Sequence, residues 1–444
     1  MHPSPPSLPR RRRLGAFLRS REANIGITLG LLMMPMLGLM GLAIDFGQAA
    51  MLRNRLQVAA DAAALGVIAE KAPASLAAQQ MTKDGAVAVG ETDGRQILEA
   101  NLSAADRAAL ADVSIKVEKA GNRLSSKVSF AASSRSSLLG LFGHDASPVA
   151  GSATGEHLLA QYVEYYILID NTPSMGLAAT TADIAILQSK NDGCAFACHI
   201  SGNTKDAYAT ARANGVKLRI DTVRTAVQKL TQTATTSTET PDQFKMGVYT
   251  FGYRAEDVVA ANGFTTITAP TSDLAKVRSD AESVDLMTIP RANFYGDQTT
   301  DFVTTLKAMN GQLDLAGDGS TGKTAQKVLF LVSDGVNDSF VPSTGCTKKL
   351  TGTRCQAPID VAQSVCKDIK AKGVKIAALY TTYLPLTTND WYNTWIRPFQ
   401  AEIGSKMEAC ASPGLYYEVS PSEGIDDAMK ALFQKSLRSV QLAS

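Results

Sequence analysis

The chain has 444 residues, enough for two or three domains and at least one large core. Charged residues make up 19% and hydrophobic residues 45%, with a formal net charge of +2. This is the balance of a folded protein, and it leaves no electrostatic case for nucleic-acid binding.

Residues 1–24 are polar and rich in Pro, Ser and Arg, and read as a basic tail. Ile25–Ile44 (IGITLGLLMMPMLGLMGLAI) is an uncharged run, and about 20 residues suffice to cross ~30 Å of hydrocarbon. Pro35 and the glycines are tolerable in such a helix. A cleaved signal peptide would have a shorter apolar region of ~7–15 residues and a small-residue cleavage site. Here the run leads into Asp45, Arg53 and Arg55, which favours an uncleaved anchor. Six arginines precede the span (Arg10–Arg13, Arg19 and Arg21) and two follow it closely. The positive-inside rule then places the N-terminus in the cytoplasm and residues 45–444 outside.

Residues 45–90 start with an Ala-rich stretch without Pro, predicted to continue the membrane helix. Its stripe of Leu52, Leu56, Ala59, Ala60 and Ala63 suits either a core or a partner helix. Residues 91–158 read as a small β-containing segment and a linker. Val113–Val128 suggests two short strands around Gly121–Asn122, and Ser133–Gly155 is rich in Ser, Ala and Gly.

From residue 159 to 438 strands and helices alternate. Strands are predicted at Val163–Ile169, Lys245–Phe251, Val328–Val332, Val374–Leu379 and Tyr416–Val419. Helices are predicted at Ala207–Leu230, Leu274–Glu282, Thr300–Met309, Ile359–Ala371 and Gly424–Gln434. The pattern implies an α/β domain with a mostly parallel sheet between helices.

The first strand ends in Asp170, with Thr172 and Ser174 at alternate positions beyond it. The strand VLFLV ends in Ser333–Asp334–Gly335, and between the two lies Gly296–Thr300, just before a helix. Three loops therefore offer Asp170, Thr172, Ser174, Thr300 and Asp334. These are hard oxygen ligands, suited to Mg²⁺ or Mn²⁺. The plainer readings are helix N-caps for the hydroxyls and a turn residue for Asp334.

These motifs resemble a von Willebrand factor type A domain, a Rossmann-like fold with a metal-ion-dependent adhesion site. Asp45, Gln57, the DAAAL of Asp61–Leu65, GCAFACH at Gly193–His199 and CASPGLYYEV at Cys410–Val419 resemble TadG-like proteins of Flp/Tad pilus assembly. The resemblance implies metal binding by Asp170, Thr172 and Ser174, by Thr300 in some states, and by Asp334 through water. Thr299 is the alternative to Thr300. It also implies a single-pass inner-membrane protein with a large periplasmic domain. That domain would bind a protein partner such as a pilin or minor pilin-like subunit, in assembly or adhesion. A metal-independent scaffold is the alternative role, and a metal-assisted hydrolase a third. Asp170→Ala is expected to remove most metal affinity and leave the fold intact.

Gly317–Thr324 (GDGSTGKT) fits the phosphate-loop pattern, but a helix precedes it and a strand follows, the reverse of what phosphate binding needs. No nucleotide is expected. All six cysteines follow the span, which suits disulfides in an oxidising compartment. Proximity suggests Cys194–Cys198 and Cys346–Cys355, and Cys366–Cys410 could tie a helix to the last sheet region, although six cysteines allow 15 pairings. A zinc site at Cys194–Cys198–His199 would have only three local ligands. The four histidines, His2, His144, His157 and His199, are not tied to Asp170, so no catalytic residue is assigned.

Overall fold

A computed structural model describes residues 21–81, 83–138, 140, 143–195, 200, 206–251, 264–288, 300–339, 348–349, 354–361, 364–383, 385–420 and 424–442. The chain divides into two compact units, Met1–Leu159 and Ala160–Ser444.

The first unit opens with α1 (Arg21–Gly66), a single helix of 46 residues that contains Pro35. It carries the apolar span into the Ala-rich stretch without a break, as predicted. From Thr28 it is long and apolar enough to cross a membrane, and side chains such as Leu31 and Met34 are exposed there. Beyond the span the pattern inverts, and Leu52, Leu56, Ala59, Ala60, Ala63 and Ala64 are buried. They pack on an antiparallel sheet of β1 (Gly85–Ala86), β2 (Leu110–Ala120), β3 (Arg123–Arg135) and β4 (Ala146–Leu158). Ile115, Val128, Phe130, Val149 and Ala153 complete this core. The stripe on α1 is therefore internal to its own unit. The helices α2 (Pro73–Gln80), α3 (Gly90–Ala100) and α4 (Ala104–Ala109) complete the unit.

Residues 133–155, read from composition as linker, are largely strand, and their small residues have a packing role. A Cβ at Gly151 would lie 2.4 Å from Phe130 Cζ and 2.6 Å from Gln57 Oε1. Small side chains on β4 are what allow α1 to lie close against the sheet.

The second unit is built on a six-stranded sheet. In chain order its strands are β5 (Val163–Ile169), β6 (Phe244–Thr250), β7 (Thr265–Thr271) and β8 (Gln326–Ser333), with two more after a small antiparallel sheet. That small sheet comprises β9 (Val336–Ser339), β10 (Lys348–Lys349) and β11 (Cys355–Pro358). The main sheet then gains β12 (Lys375–Thr381) and β13 (Tyr416–Val419), giving the order β13-β12-β8-β5-β6-β7. All pairs are parallel except β6 with the edge strand β7. Consecutive residues of β5, β6, β8 and β12 are buried. Since alternate residues face opposite sides, both faces of the sheet are covered. This is the mostly parallel sheet between helices predicted from the alternating pattern.

The covering helices are α5 (Thr181–Lys190), α6 (Ala207–Ala213), α7 (Arg219–Thr236), α8 (Leu274–Asp280), α9 (Phe302–Gln312), α10 (Cys366–Ala371), α11 (Gln400–Cys410) and α12 (Ile425–Leu442). The helix predicted over Ala207–Leu230 is two, α6 and α7. The break falls at Gly215, whose φ of +67° ends α6. Lys217–Arg219 then runs extended along Leu177–Ala179, with Ala179 N–H donating to Lys217 O and Arg219 N–H to Leu177 O. Asp221 accepts from the Leu218 N–H at 2.9 Å and sets the start of α7. Of Ile359–Ala371, also predicted as helix, the last six residues form α10, while β11 carries the chain to Pro358 and Val365 is left-handed, with φ of 50°.

Cys366 and Cys410 are disulfide-bonded and join the start of α10 to the end of α11, as predicted. Cys355 is also disulfide-bonded. Cys198 and Cys346 lie outside the described residues, so the other two predicted pairings do as well. The GDGSTGKT segment lies between α9 and β8, and its Gly317 and Gly319 N–H groups donate to the Ala325 and Thr324 carbonyls.

Candidate metal-ion site

The chain enters the sheet at β5, lays β6 and β7 to one side, and returns to place β8, β12 and β13 on the other. The strand order thus reverses between β5 and β8. In open α/β sheets the crevice beyond the carboxyl ends of the strands at this point is the ordinary ligand position. Asp170 directly follows β5, and Ser333 ends β8 with Asp334 directly after it. Asp170 N–H donates to Val332 O at 2.8 Å and ties the two loops together.

Asp170, Thr172, Ser333 and Asp334 have no exposed surface, and Thr300 is also buried. Asp170 Oδ1 accepts from Thr172 N–H at 3.0 Å and from Thr172 Oγ1 at 2.6 Å. Its Oδ2 accepts from Ser333 Oγ at 2.5 Å. Thr300 Oγ1 donates to Thr172 Oγ1 at 2.6 Å, so three loops share one oxygen cluster. Burial holds the Asp170 carboxyl well above the ordinary carboxylate range, the Asp334 charge adds to that, and the Ser333 and Thr172 hydrogen bonds oppose it. Ser174 lies in the short turn Pro173–Gly176, and its buried hydroxyl sits within reach of the Tyr383 hydroxyl.

The capping alternative is resolved for two of the hydroxyls. Thr172 precedes that turn without a side-chain capping bond. For α9 the N-cap is Asp301, which accepts from Thr304 N–H, and this leaves the Thr300 hydroxyl for the cluster. Thr300 is held in place because its carbonyl accepts from Asp338 N–H at 2.8 Å, while Asn337 Oδ1 accepts from Phe302 N–H at 3.2 Å. Thr299 lies outside the described residues.

Asp334 has partners that were not read from the sequence. Its Oδ2 accepts from Arg219 Nη1 at 2.9 Å and from the Tyr383 hydroxyl at 2.8 Å, and its Oδ1 from Val336 N–H at 3.2 Å. Arg219 is itself fully buried. Burial raises the Tyr383 hydroxyl well above its usual range, with the Asp334 charge adding to the effect. One sequence signal for Arg219 existed: a cation at the first turn of a helix opposes the helix dipole. It was hidden because the position was read as the middle of a longer helix.

The donor set suits a hard divalent cation. A buried carboxylate and hydroxyls brought together from separate loops are chemically appropriate to Mg²⁺ or Mn²⁺. Among the described residues no group of three or more His, Cys, Asp or Glu side chains forms a metal-binding cluster. The set is therefore based on hydroxyls.

Fold and site together define a class: a chain with a membrane-length N-terminal helix and a mostly parallel α/β domain that gathers carboxyl and hydroxyl oxygens at its switch point. Residues 24–79 match the family model described as putative Flp pilus-assembly TadE/G-like. No match was found among curated proteins. Among solved structures, the pilus adhesin SpaC from Lactobacillus rhamnosus GG is 11% identical, with a TM-score of 0.36 over 74% of this chain and 34% of that one. The chain thus spans about a third of the length of that adhesin. The vWF domain of the type V pili tip protein Mfa5 from Porphyromonas gingivalis is 10% identical, with a TM-score of 0.36 over 63% of this chain and 97% of that one. The PilB minor pilin from Streptococcus sanguinis is 10% identical, with a TM-score of 0.33 over 74% of this chain and 78% of that one.

Proposed function

We propose that this chain is a membrane-anchored component of a pilus apparatus whose α/β domain binds a protein partner through a divalent cation. The cation is Mg²⁺ or Mn²⁺, held by Asp170, Thr172, Ser174 and Thr300, with Asp334 acting behind them. The observation that carries this reading is the shared oxygen cluster of Asp170, Thr172 and Thr300 at the switch point. The TadE/G-like match of residues 24–79 supports the pilus setting. A pilin or minor pilin-like subunit with an exposed carboxylate is the partner chemistry that suits a cation with an open coordination position. The domain faces the periplasm from the inner membrane, and no catalytic step is assigned to it.

A scaffold role without metal is favoured by one specific feature: Arg219 already neutralises Asp334. Calorimetry on the full chain in detergent, followed by pilin capture with and without EDTA, separates the two readings. The expected outcome is binding of Mg²⁺ or Mn²⁺ and capture that is lost with EDTA and reduced in Thr300→Val, which keeps the shape of the site. Absence of cation uptake, with capture unchanged by both treatments, leaves the scaffold reading.

A further inference from the structure

We infer that Arg219 is the resident counter-cation of Asp334, a positioning residue that limits how tightly the site takes a divalent cation. This rests on the cation-site reading above. Both partners of the ion pair have no exposed side-chain surface. A buried guanidinium is costly unless its charge and its N–H groups are answered, and the answers here all come from loops around the site. Nη1 donates to Asp334 Oδ2 at 2.9 Å and to Ser174 O at 3.4 Å, and Nη2 to Thr382 O at 3.1 Å. Cζ lies 4.7 Å from the centroid of the Tyr383 ring. Nε is buried without a hydrogen-bond partner, so this arrangement is not a complete set of bonds for the side chain.

The electrostatic consequence follows from the pairing. Two carboxylates stand at the switch point, but Arg219 cancels the charge of one of them. Asp170 accepts bonds from the uncharged donors Thr172 and Ser333. With the guanidinium counted, a divalent cation therefore meets one net negative charge, that of Asp170. It keeps a positive excess, which an anionic group from a partner can satisfy. Arg219 thus weakens cation binding by the chain alone and makes retention depend on an acidic ligand.

The test uses the full chain in detergent, with Mn²⁺ titration by calorimetry and melting in EDTA or excess Mn²⁺. Removal of the positive charge paired with Asp334 should tighten Mn²⁺ binding by Arg219→Gln at least about tenfold over wild type. In EDTA this variant should melt below wild type, and Mn²⁺ should restore it. The double variant Arg219→Gln/Asp334→Asn, which removes both charges, should melt above Arg219→Gln in EDTA and bind Mn²⁺ no more tightly than wild type. Arg219→Lys should keep the wild-type affinity. Wild-type affinity in Arg219→Gln, or a double variant no more stable than the single one in EDTA, would overturn the role of Arg219. Should Arg219→Gln fail to fold, folding of the double variant supports the pairing, and its failure overturns it. Absence of Mn²⁺ uptake by every variant removes the underlying cation reading instead.

Discussion

At the scale of single residues, the cluster is held by short hydrogen bonds between groups at or just beyond the ends of strands and helices. Asp170 is fully buried and accepts from three donors. The expectation that Asp170→Ala would spare the fold because a sheet-edge ligand is not core therefore needs correction, since the substitution leaves the Ser333 and Thr172 hydroxyls without their acceptor. Thr300→Val is the cleaner probe. It keeps the shape and removes the hydroxyl that donates to Thr172 Oγ1. The expected loss is about 1 kcal/mol in a urea titration. Its Mn²⁺ affinity should fall less than that of Asp170→Ala, because no charge is removed. Asp170, Thr172, Ser174, Thr300 and Asp334 were legible in the sequence because each sits just beyond an apolar strand or just before a helix. Arg219 and Tyr383 were not. Their role depends on segments far apart in sequence meeting at Asp334; the Tyr383 loop carries no local pattern that announces it, and the signal at Arg219 is masked when that position is read inside a longer helix.

At the scale of elements, β5, β8 and β12 were legible because a strand buried on both faces must be apolar throughout. The break between α6 and α7 was not, because Asn214–Gly215, a turn signal, sits in a stretch of otherwise helical composition, and the extended pairing that follows is a tertiary contact. Strand β4 was missed for a related reason: its small residues answer to α1 packed against them, and composition alone reads them as linker. In the first unit α1 is also tied to α4 by Arg55 and Asp106, with Nη2 to Oδ1 at 2.9 Å. The Arg55 hydrogen bond holds the Asp106 carboxyl below its usual range, opposed by burial and helped by Ser103. The folded-state value lies below the unfolded one, so the stabilisation is present above the unfolded value, near pH 4, and is lost as pH falls through the folded value. Asp106→Asn should therefore cost about 1 kcal/mol at pH 7, a small figure because Arg55 is half exposed. The difference from wild type should shrink as urea titrations followed by circular dichroism are taken to lower pH. A difference that stays constant down to pH 2 would mean that the charge of Asp106 is not what holds α4 to α1.

At the scale of the whole molecule, the side of the membrane on which the α/β domain stands decides whether it can meet an external partner at all. α1 is long enough to cross the bilayer, and its apolar side chains from Leu29 to Leu42 are largely exposed. Water is a poor solvent for such a surface, whereas hydrocarbon suits it. The charges around it set the direction: six arginines lie before the span and Arg53 and Arg55 shortly after it. The orientation proposed above, with the more basic flank retained in the cytoplasm, would put residues 45–444 on the far side. The disulfide between Cys366 and Cys410 agrees with that placement, because such bonds persist in oxidising compartments. A phosphatase fused after Ser444 should therefore be active, and a fluorescent protein that folds only in the cytoplasm should stay dark at the same position. Replacement of Arg10–Arg13 by Gln should reduce the phosphatase signal, since it leaves Arg19 and Arg21 before the span against Arg53 and Arg55 after it. An active cytoplasmic reporter on the unaltered chain would reverse the orientation and deprive the cation site of any partner outside the cell membrane.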